Sequence, residues 1–265
     1  MRIEPFTLQD LDGLAELEPA DWEAALARLR WHVGTPYAFA IKSLFGEALM
    51  SGLGTAVAHN GSGWIGDVLM MPHFQGPGLG SLLLKGLMQG LKARGCNTIT
   101  ALVPKAARPL FGAHGFVHEC DYLCYAGGTS GPPTMDEVVL CGPEHTMGIL
   151  HLDRTVTGED RRTLIIEHLH AGRVYVERGR VRGTYLPLLG AGLLQADRPD
   201  VGEELLRWHL PYVQAHCVPE ANRVAAEYMQ LRGYTVQGRL HRMRHGNELA
   251  WRPALNYGWI SERLG

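Results

Sequence analysis

The stretch from Asp67 to Leu84, DVLMMPHFQGPGLGSLLL, decides the fold. A run of strand-forming residues meets Pro72, a glycine-rich turn follows, and an amphipathic helix is predicted over 79–94, with Gly95 as its C-terminal cap. Glycines let the backbone turn tightly and approach a ligand closely. The first N–H groups of a helix lack partners within the helix and carry a partial positive charge. The stretch therefore predicts an anion site suited to a diphosphate.

Two common phosphate-binding motifs do not fit this stretch. A dinucleotide fingerprint needs a third glycine where Ser81 stands, and a P-loop needs Gly-Lys-Ser/Thr after four spacer residues. No acidic side chain lies between Pro72 and Leu84, so none there repels a phosphate. A glycine-rich turn that serves packing alone remains the alternative.

The turn resembles the signature of the GCN5-related N-acetyltransferase (GNAT) family, which is Gln or Arg, two residues, Gly, one residue, then Gly or Ala. Gln75, Gly78 and Gly80 match it, and the segment from Leu110 to Phe116 resembles the family's second CoA-contacting segment. The resemblance covers about residues 1–125 and implies acetyl-CoA as co-substrate, with no metal. It implies the following CoA-binding residues: Val68, Leu69 and Met70 beside the pantetheine, Gln75, Gly76, Pro77, Gly78, Leu79, Gly80 and Ser81 around the diphosphate, and Phe111 in the second segment.

The second half repeats the order of predicted elements of the first half and resembles a degenerate copy of the same superfamily. A Gly/Pro-rich stretch separates the halves, so we expect a GNAT acetyl-CoA-binding domain at 1–125, a linker at 126–137 and a GNAT-like domain at 138–265. The implied fold class is α/β (α+β): two tandem GNAT-like domains, each a mixed, mostly antiparallel sheet flanked by helices. Carboxylates at Asp197, Asp200, Glu203 and Glu204 replace the glycine motif, so we expect no CoA in the second half.

The resemblance implies an N-acetyltransferase in which an amine attacks the acetyl thioester directly. Asp67 is the first candidate base, His73 a second, and Tyr122 a candidate acid; ordinary strand-end, surface and packing roles remain the alternatives. Phe111 stands where many relatives have a tyrosine that protonates the leaving thiolate. The alternative function is therefore a non-catalytic acyl-CoA sensor or scaffold, and transfer of a longer acyl group also remains open.

The acceptor amine, on a small molecule or a peptide, is not identified by the sequence. Asp121 lies on the strand that closes the first domain and is a candidate acceptor contact. Asp153 and Arg154 belong to an LDR…GEDR pattern that resembles tandem acetyltransferases, whose second domain is thought to shape the acceptor pocket. A helix cap with surface ion pairs is the alternative for these residues.

Composition excludes several classes of protein. The chain has 265 residues, 46% apolar residues and a formal charge of -2, which predicts a well-packed core and no general affinity for nucleic acid or membrane. We expect a cytoplasmic protein without a signal peptide or membrane span. Five cysteines without paired spacing predict reduced thiols and no zinc site. The oligomeric state is not predicted.

Overall fold

A computed structural model describes residues 2–17, 22–46, 49–71, 74, 78–261 and 263–264. The first half contains the strands β1 (Arg2–Pro5), β2 (Ala38–Phe45), β3 (Leu49–Ala58), β4 (Ser62–Met70), β5 (Thr98–Val103) and β6 (Val117–Gly127), and the helices α1 (Trp22–Gly34), α2 (Leu79–Ala93) and α3 (Arg108–Ala113). The second half contains the strands β7 (Val138–Leu140), β8 (Arg173–Glu177), β9 (Arg180–Leu186), β10 (Leu193–Ala196), β11 (Ala215–Pro219), β12 (Tyr234–Gly246) and β13 (Asn256–Gly258), and the helices α4 (Thr146–Thr157), α5 (Arg162–Ile166), α6 (Pro199–His209) and α7 (Arg223–Leu231).

The strands form two sheets, and the larger sheet draws on both halves of the chain. Its order is β1-β2-β3-β4-β5-β12-β6-β11, and the smaller sheet has the order β13-β10-β9-β8-β7. Strand β12 lies between β5 and β6 and is antiparallel to both. The second half therefore supplies a strand to the middle of the sheet that the first half begins.

The predicted fold class is confirmed. The pair β4 and β5 is parallel, while the neighbouring pairs β3–β4 and β5–β12 are antiparallel. Helix α2 connects the two parallel strands, as a parallel pair requires a crossover. The larger sheet, mixed and mostly antiparallel with flanking helices, matches the prediction, while the strand pairs of the smaller sheet are antiparallel.

The core of the first half lies on both faces of the large sheet. Helix α2 buries Leu83, Leu84, Leu87, Met88 and Leu91, which follow helical spacing along one face. On the opposite face, Leu29 of α1 packs with Leu53 of β3 and Phe6. The sheet therefore has an α2 face and an α1 face, and side chains on β4 reach one or the other.

The prediction of reduced thiols is wrong for two of the five cysteines. Cys124 on β6 and Cys217 on β11 form a disulfide and are direct partners across the two strands. They are 93 residues apart in sequence. Spacing did not reveal the pair because only the joining of strands from both halves brings the two thiols together.

Candidate functional site

A β-bulge on β4 opens the large sheet. Gly54 pairs with Val68 and Ala56 pairs with Ile65, so two residues, Gly66 and Asp67, stand opposite Thr55. The N–H of Asp67 donates to Thr55 Oγ1 at 2.8 Å, so a side chain of β3 takes the place of a backbone acceptor there. The parallel pairing of β4 with β5 ends at Ile65. Beyond Ile65 the two strands are no longer paired, and we call the gap between their ends the cleft.

The part of β4 that borders this cleft is the segment predicted to bind pantetheine. The N–H of Met71 donates to Ser51 on β3 at 3.0 Å. Because successive N–H groups of a strand point to opposite edges, those of Val68 and Met70 face the cleft. The Val68 and Met70 side chains pack on the α2 face, whereas Leu69 is 46% exposed.

Helix α2 begins at the same end of β4. Gly78 precedes it with φ +97°, a left-handed conformation that glycine adopts without strain. The N–H of Leu82 bonds to Gly78 O at 3.1 Å, so the N–H groups of Leu79, Gly80 and Ser81 lie before the helical ladder. Helical dipoles make this end attractive to a phosphate.

Part of the predicted loop lies outside the described residues, namely His73, Gln75, Gly76 and Pro77. A histidine that the sequence analysis did not include lies beside the described part of the loop. Ser81 Oγ lies 2.6 Å from Nε2 of His114, which follows α3. An imidazole therefore stands beside the first turn of α2.

The candidate base Asp67 lies beside the cleft and is engaged on both oxygens. Thr55 Oγ1 donates to its Oδ2 at 3.3 Å, and Arg263 Nε donates to its Oδ1 at 2.7 Å. A Cβ on Gly66 would lie 3.0 Å from Arg263 O, so the C-terminal segment packs directly on the bulge. Sequence reasoning missed Thr55 and Arg263.

The two aromatic candidates are buried. Tyr122 is 2% exposed, its hydroxyl lies 3.2 Å from the Asn256 side chain, and burial raises its pKa. Phe111 is 3% exposed and packs edge-on against Phe116 in the core below α2. Phe111 carries no hydroxyl, so this position supplies no proton to a leaving thiolate.

Asp121 belongs to a polar cluster on β6 and β12. Its Oδ1 lies 2.7 Å from His118 Nε2 and from His241 Nδ1, and Arg239 bonds to its Oδ2. Although burial opposes the effect, hydrogen bonds from Arg239 and the two imidazoles hold the pKa of Asp121 well below its ordinary value. These three side-chain partners already satisfy the carboxylate, and the Arg239 guanidinium disfavours a cation there.

Asp153 and Arg154 lie near the opposite end of β4. Asp153 is buried and accepts from Arg161 Nε at 3.2 Å. Glu159 lies in the same region and accepts a hydrogen bond at 2.7 Å from Oγ of Ser62, the first residue of β4. Asp153 and Arg154 line a cavity of about 370 Å³ there. Eight residues at about 3.3 Å each separate Ser62 from Met70, so the end of β4 that Glu159 contacts is about 26 Å along the strand from the cleft end.

The corresponding region of the second half is filled by its own chain. Strand β13 pairs with β10, the counterpart of β4 in the repeat. Tyr257 of β13 is 1% exposed, and a Cβ on Gly202 in the first turn of α6 would lie 2.1 Å from its ring. The Tyr257 ring therefore packs directly against the first turn of α6.

The structure thus brings together Asp67, the segment 68–70 and the start of α2 at one end of β4. Comparison with protein-family models gives a match to the acetyltransferase (GNAT) family over residues 9–116. Residues 9–116 are therefore similar to GNAT domains. Members of this family use acyl-CoA as a co-substrate. The bulge, the cleft and the start of α2 all lie within the residues that match this family.

Solved structures extend this likeness to the whole chain. A candidate acetyltransferase from Pyrococcus horikoshii is 20% identical with a TM-score of 0.80, covering 100% of this chain and 95% of that chain. A GCN5-related N-acetyltransferase from Sphaerobacter thermophilus is 14% identical with a TM-score of 0.58, covering 95% and 98%. A tandem GNAT protein from the clavulanic acid biosynthesis pathway is 12% identical with a TM-score of 0.56, covering 92% and 98%. At these identities the likeness shows a shared GNAT fold.

No curated protein matches the sequence. Among the described residues, every helix is too short or too polar to cross a membrane.

Proposed function

We propose that this protein is an acyl-CoA-dependent N-acyltransferase that moves an acetyl group from acetyl-CoA to an amine. The observation that carries the proposal is the bulge at Gly66 and Asp67, because it separates β4 from β5 next to the start of α2. The cleft offers the backbone N–H groups of Val68 and Met70, and the start of α2 offers an anion site. Acyl-CoA needs both, one for its pantetheine and one for its diphosphate.

The backbone donors also suit the chemistry. The N–H groups of Val68 and Met70 face the cleft and would hydrogen-bond to the pantetheine amides and the thioester carbonyl. A donor on that carbonyl stabilises the oxyanion formed when the amine attacks. The attack forms the C–N bond, the C–S bond breaks, and CoA leaves as a thiolate with a pKa near that of a free thiol, about 8.5.

The amine must lose its proton before it attacks. An alkylamine has a pKa of about 10.4, so deprotonation at pH 7 costs about 4.6 kcal/mol. Asp67 remains our first candidate for the base that removes this proton, directly or through water, and Arg263 already places a cation against it. Because Arg263 belongs to the second half, this contact supports the proposal that residues 138–265 help to form the acceptor side of a site built by residues 1–125, with 126–137 as linker. Roles for Asp121, Asp153 and Arg154 in acceptor binding stay predictions.

Two measurements test the proposal. Calorimetry with CoA reports binding, and release of free thiol from acetyl-CoA with a panel of primary amines reports transfer. We expect saturable CoA binding and amine-dependent thiol release. Absence of CoA binding would remove the basis of the proposal.

One observation favours the second candidate function, an acyl-CoA sensor. Phe111 is sealed in the core and Asp67 is paired with Arg263, so neither offers an immediate proton donor or acceptor. A sensor would bind CoA saturably without releasing thiol in the presence of any amine. The same two measurements therefore separate the enzyme from the sensor.

A further inference from the structure

A cavity in the second half is lined by aromatic rings around one arginine. Its volume is about 460 Å³, and its lining draws on β8, β9 and the end of α6. The side chains that matter here are those of Arg173, Tyr185, Trp208, His209 and Tyr212. Of the described residues that line the cavity, none is an aspartate or a glutamate. A cavity of this size can hold a small molecule, and its charge favours an anion.

The arginine is held in place but has no ionic partner. Arg173 is the first residue of β8, and its guanidinium lies over the Trp208 ring, 3.9 Å from the ring centre. In the part of the chain that the structure describes, no carboxylate pairs with it, and the one acidic residue of β8, Glu177, pairs with Arg198 instead. A guanidinium that rests on an aromatic face keeps its N–H edge for a carboxylate, which it can bind through two parallel hydrogen bonds.

Tyr185 lies beside this arginine. Arg173 and Tyr185 are direct partners across β8 and β9, so their side chains stand on the same face, about 5 Å apart at Cβ. The Tyr185 oxygen lies 3.2 Å from Nδ1 of His209. Burial raises the pKa of Tyr185, so the hydroxyl keeps its proton.

The direction of this hydrogen bond leaves the Tyr185 proton available. Burial lowers the pKa of His209 to about 3, so its ring is neutral and carries one N–H. Nε2 of His209 is buried and has no partner among the described residues. Because a buried N–H without an acceptor is the costlier arrangement, the proton lies on Nδ1 and is donated to the Tyr185 oxygen. The Tyr185 O–H can then donate to a ligand.

The remaining walls suit an aromatic body. Tyr212 follows α6 and lines the cavity, yet it is 80% exposed. Trp208 lines the same cavity beneath Arg173. A flat aromatic ligand would cover the Tyr212 ring, and aromatic rings gain from packing on one another beyond the area that they bury.

We propose that this cavity binds a small aromatic carboxylate, with the carboxylate on Arg173 and Tyr185 and the ring against Tyr212. The site is separate from the acyl-CoA cleft, because β8 and β9 belong to the smaller sheet and β4 belongs to the larger sheet. The inference therefore does not depend on the proposed acyltransferase function.

Indole-3-acetate is the probe, with indole-3-acetamide as its matched control. The amide has the same shape but no charge. Calorimetry and ligand-observed NMR on the full chain should show saturable binding of the acid, with a Kd on the order of 1 mM or tighter for a ligand of this size. The amide should bind at least about 10-fold more weakly, and so should acetate, which lacks the ring. No binding of the acid, or equal affinities for the acid and the amide, would overturn the proposal.

The variants R173Q and Y185F locate the carboxylate, with R180Q as their control. Arg180 is an exposed arginine of the same hairpin and does not line the cavity. R173Q should raise Kd about 10- to 150-fold because it removes a hydrogen bond between charged groups, and Y185F should raise it about 2- to 10-fold. R180Q should leave Kd unchanged. Unchanged affinity in R173Q or in Y185F would overturn the assignment.

Two controls complete the test. Melting temperatures verify that the variants fold, and the comparison of acid with amide needs no variant, so it decides the proposal even where one fails to fold. Saturating CoA should leave the affinity for indole-3-acetate unchanged. Displacement of the probe by CoA would place it in the cleft and overturn the proposal.

Discussion

Replacing Gly78 by alanine perturbs the start of α2 without adding a clash. A Cβ at Gly78 would meet nothing within 4 Å, but φ there is +97°. A left-handed conformation costs an L-residue about 1–2 kcal/mol. The alanine variant should relax this turn in the free protein, and CoA binding must then restore it. Since 1.4 kcal/mol is a tenfold change in affinity, Kd should rise about 5- to 30-fold.

Gly95 provides the matched control at the other end of the same helix. It has φ +82°, and a Cβ there would also meet nothing within 4 Å. G95A should therefore lower the melting temperature about as much as G78A without changing CoA affinity. Calorimetric titration of both variants with CoA is the assay. Equal Kd values for the wild type, G78A and G95A would refute the assignment of the diphosphate to this turn.

Three further predictions concern stability. Burial lowers the pKa of His209 to about 3 and that of His216 to about 4, so the unfolded chain, with imidazoles near 6.5, binds more protons. The free energy of unfolding should therefore fall by on the order of several kcal/mol as pH drops from 6.5 to 4, and urea titrations that give equal values at both pH values would contradict this. Reduction with dithiothreitol, or the variant C217S, removes the disulfide and opens a 93-residue loop. Either change should lower the free energy of unfolding by about 2–4 kcal/mol. Coincident urea unfolding curves with and without reductant would count against the disulfide. R161Q leaves the buried Asp153 carboxylate without its guanidinium partner and should lower the free energy of unfolding by about 3–5 kcal/mol. R162Q changes an exposed guanidinium and should leave the melting temperature nearly unchanged. Equal melting temperatures for the two variants would exclude a structural role for the buried pair.

Local chemistry allowed the elements around the site to be predicted from sequence. Apolar spacing and Gly95 gave helix α2 nearly to the residue, with Leu79–Ala93 observed and a left-handed Gly95 after it. The glycine before the helix start is left-handed as well. Each of these features depends on residues within one or two turns of chain, which a single sequence displays directly.

Contacts between distant residues could not be predicted in the same way. The insertion of β12 between β5 and β6 places His241 beside Asp121, two residues 120 positions apart. The bulge on β4 depends on the register against β3, which the alternation of residues alone does not reveal. The site therefore gained Thr55 and Arg263 only from the structure.

Hydrogen exchange with and without CoA tests the binding site most directly. If the diphosphate lies on the first turn of α2 and the pantetheine along β4, CoA should slow exchange at the amides of Val68, Met70, Leu79, Gly80 and Ser81. The amides in the first turn of α6, where Tyr257 packs, should not change. Slower exchange at α6 with none at α2 would contradict the account.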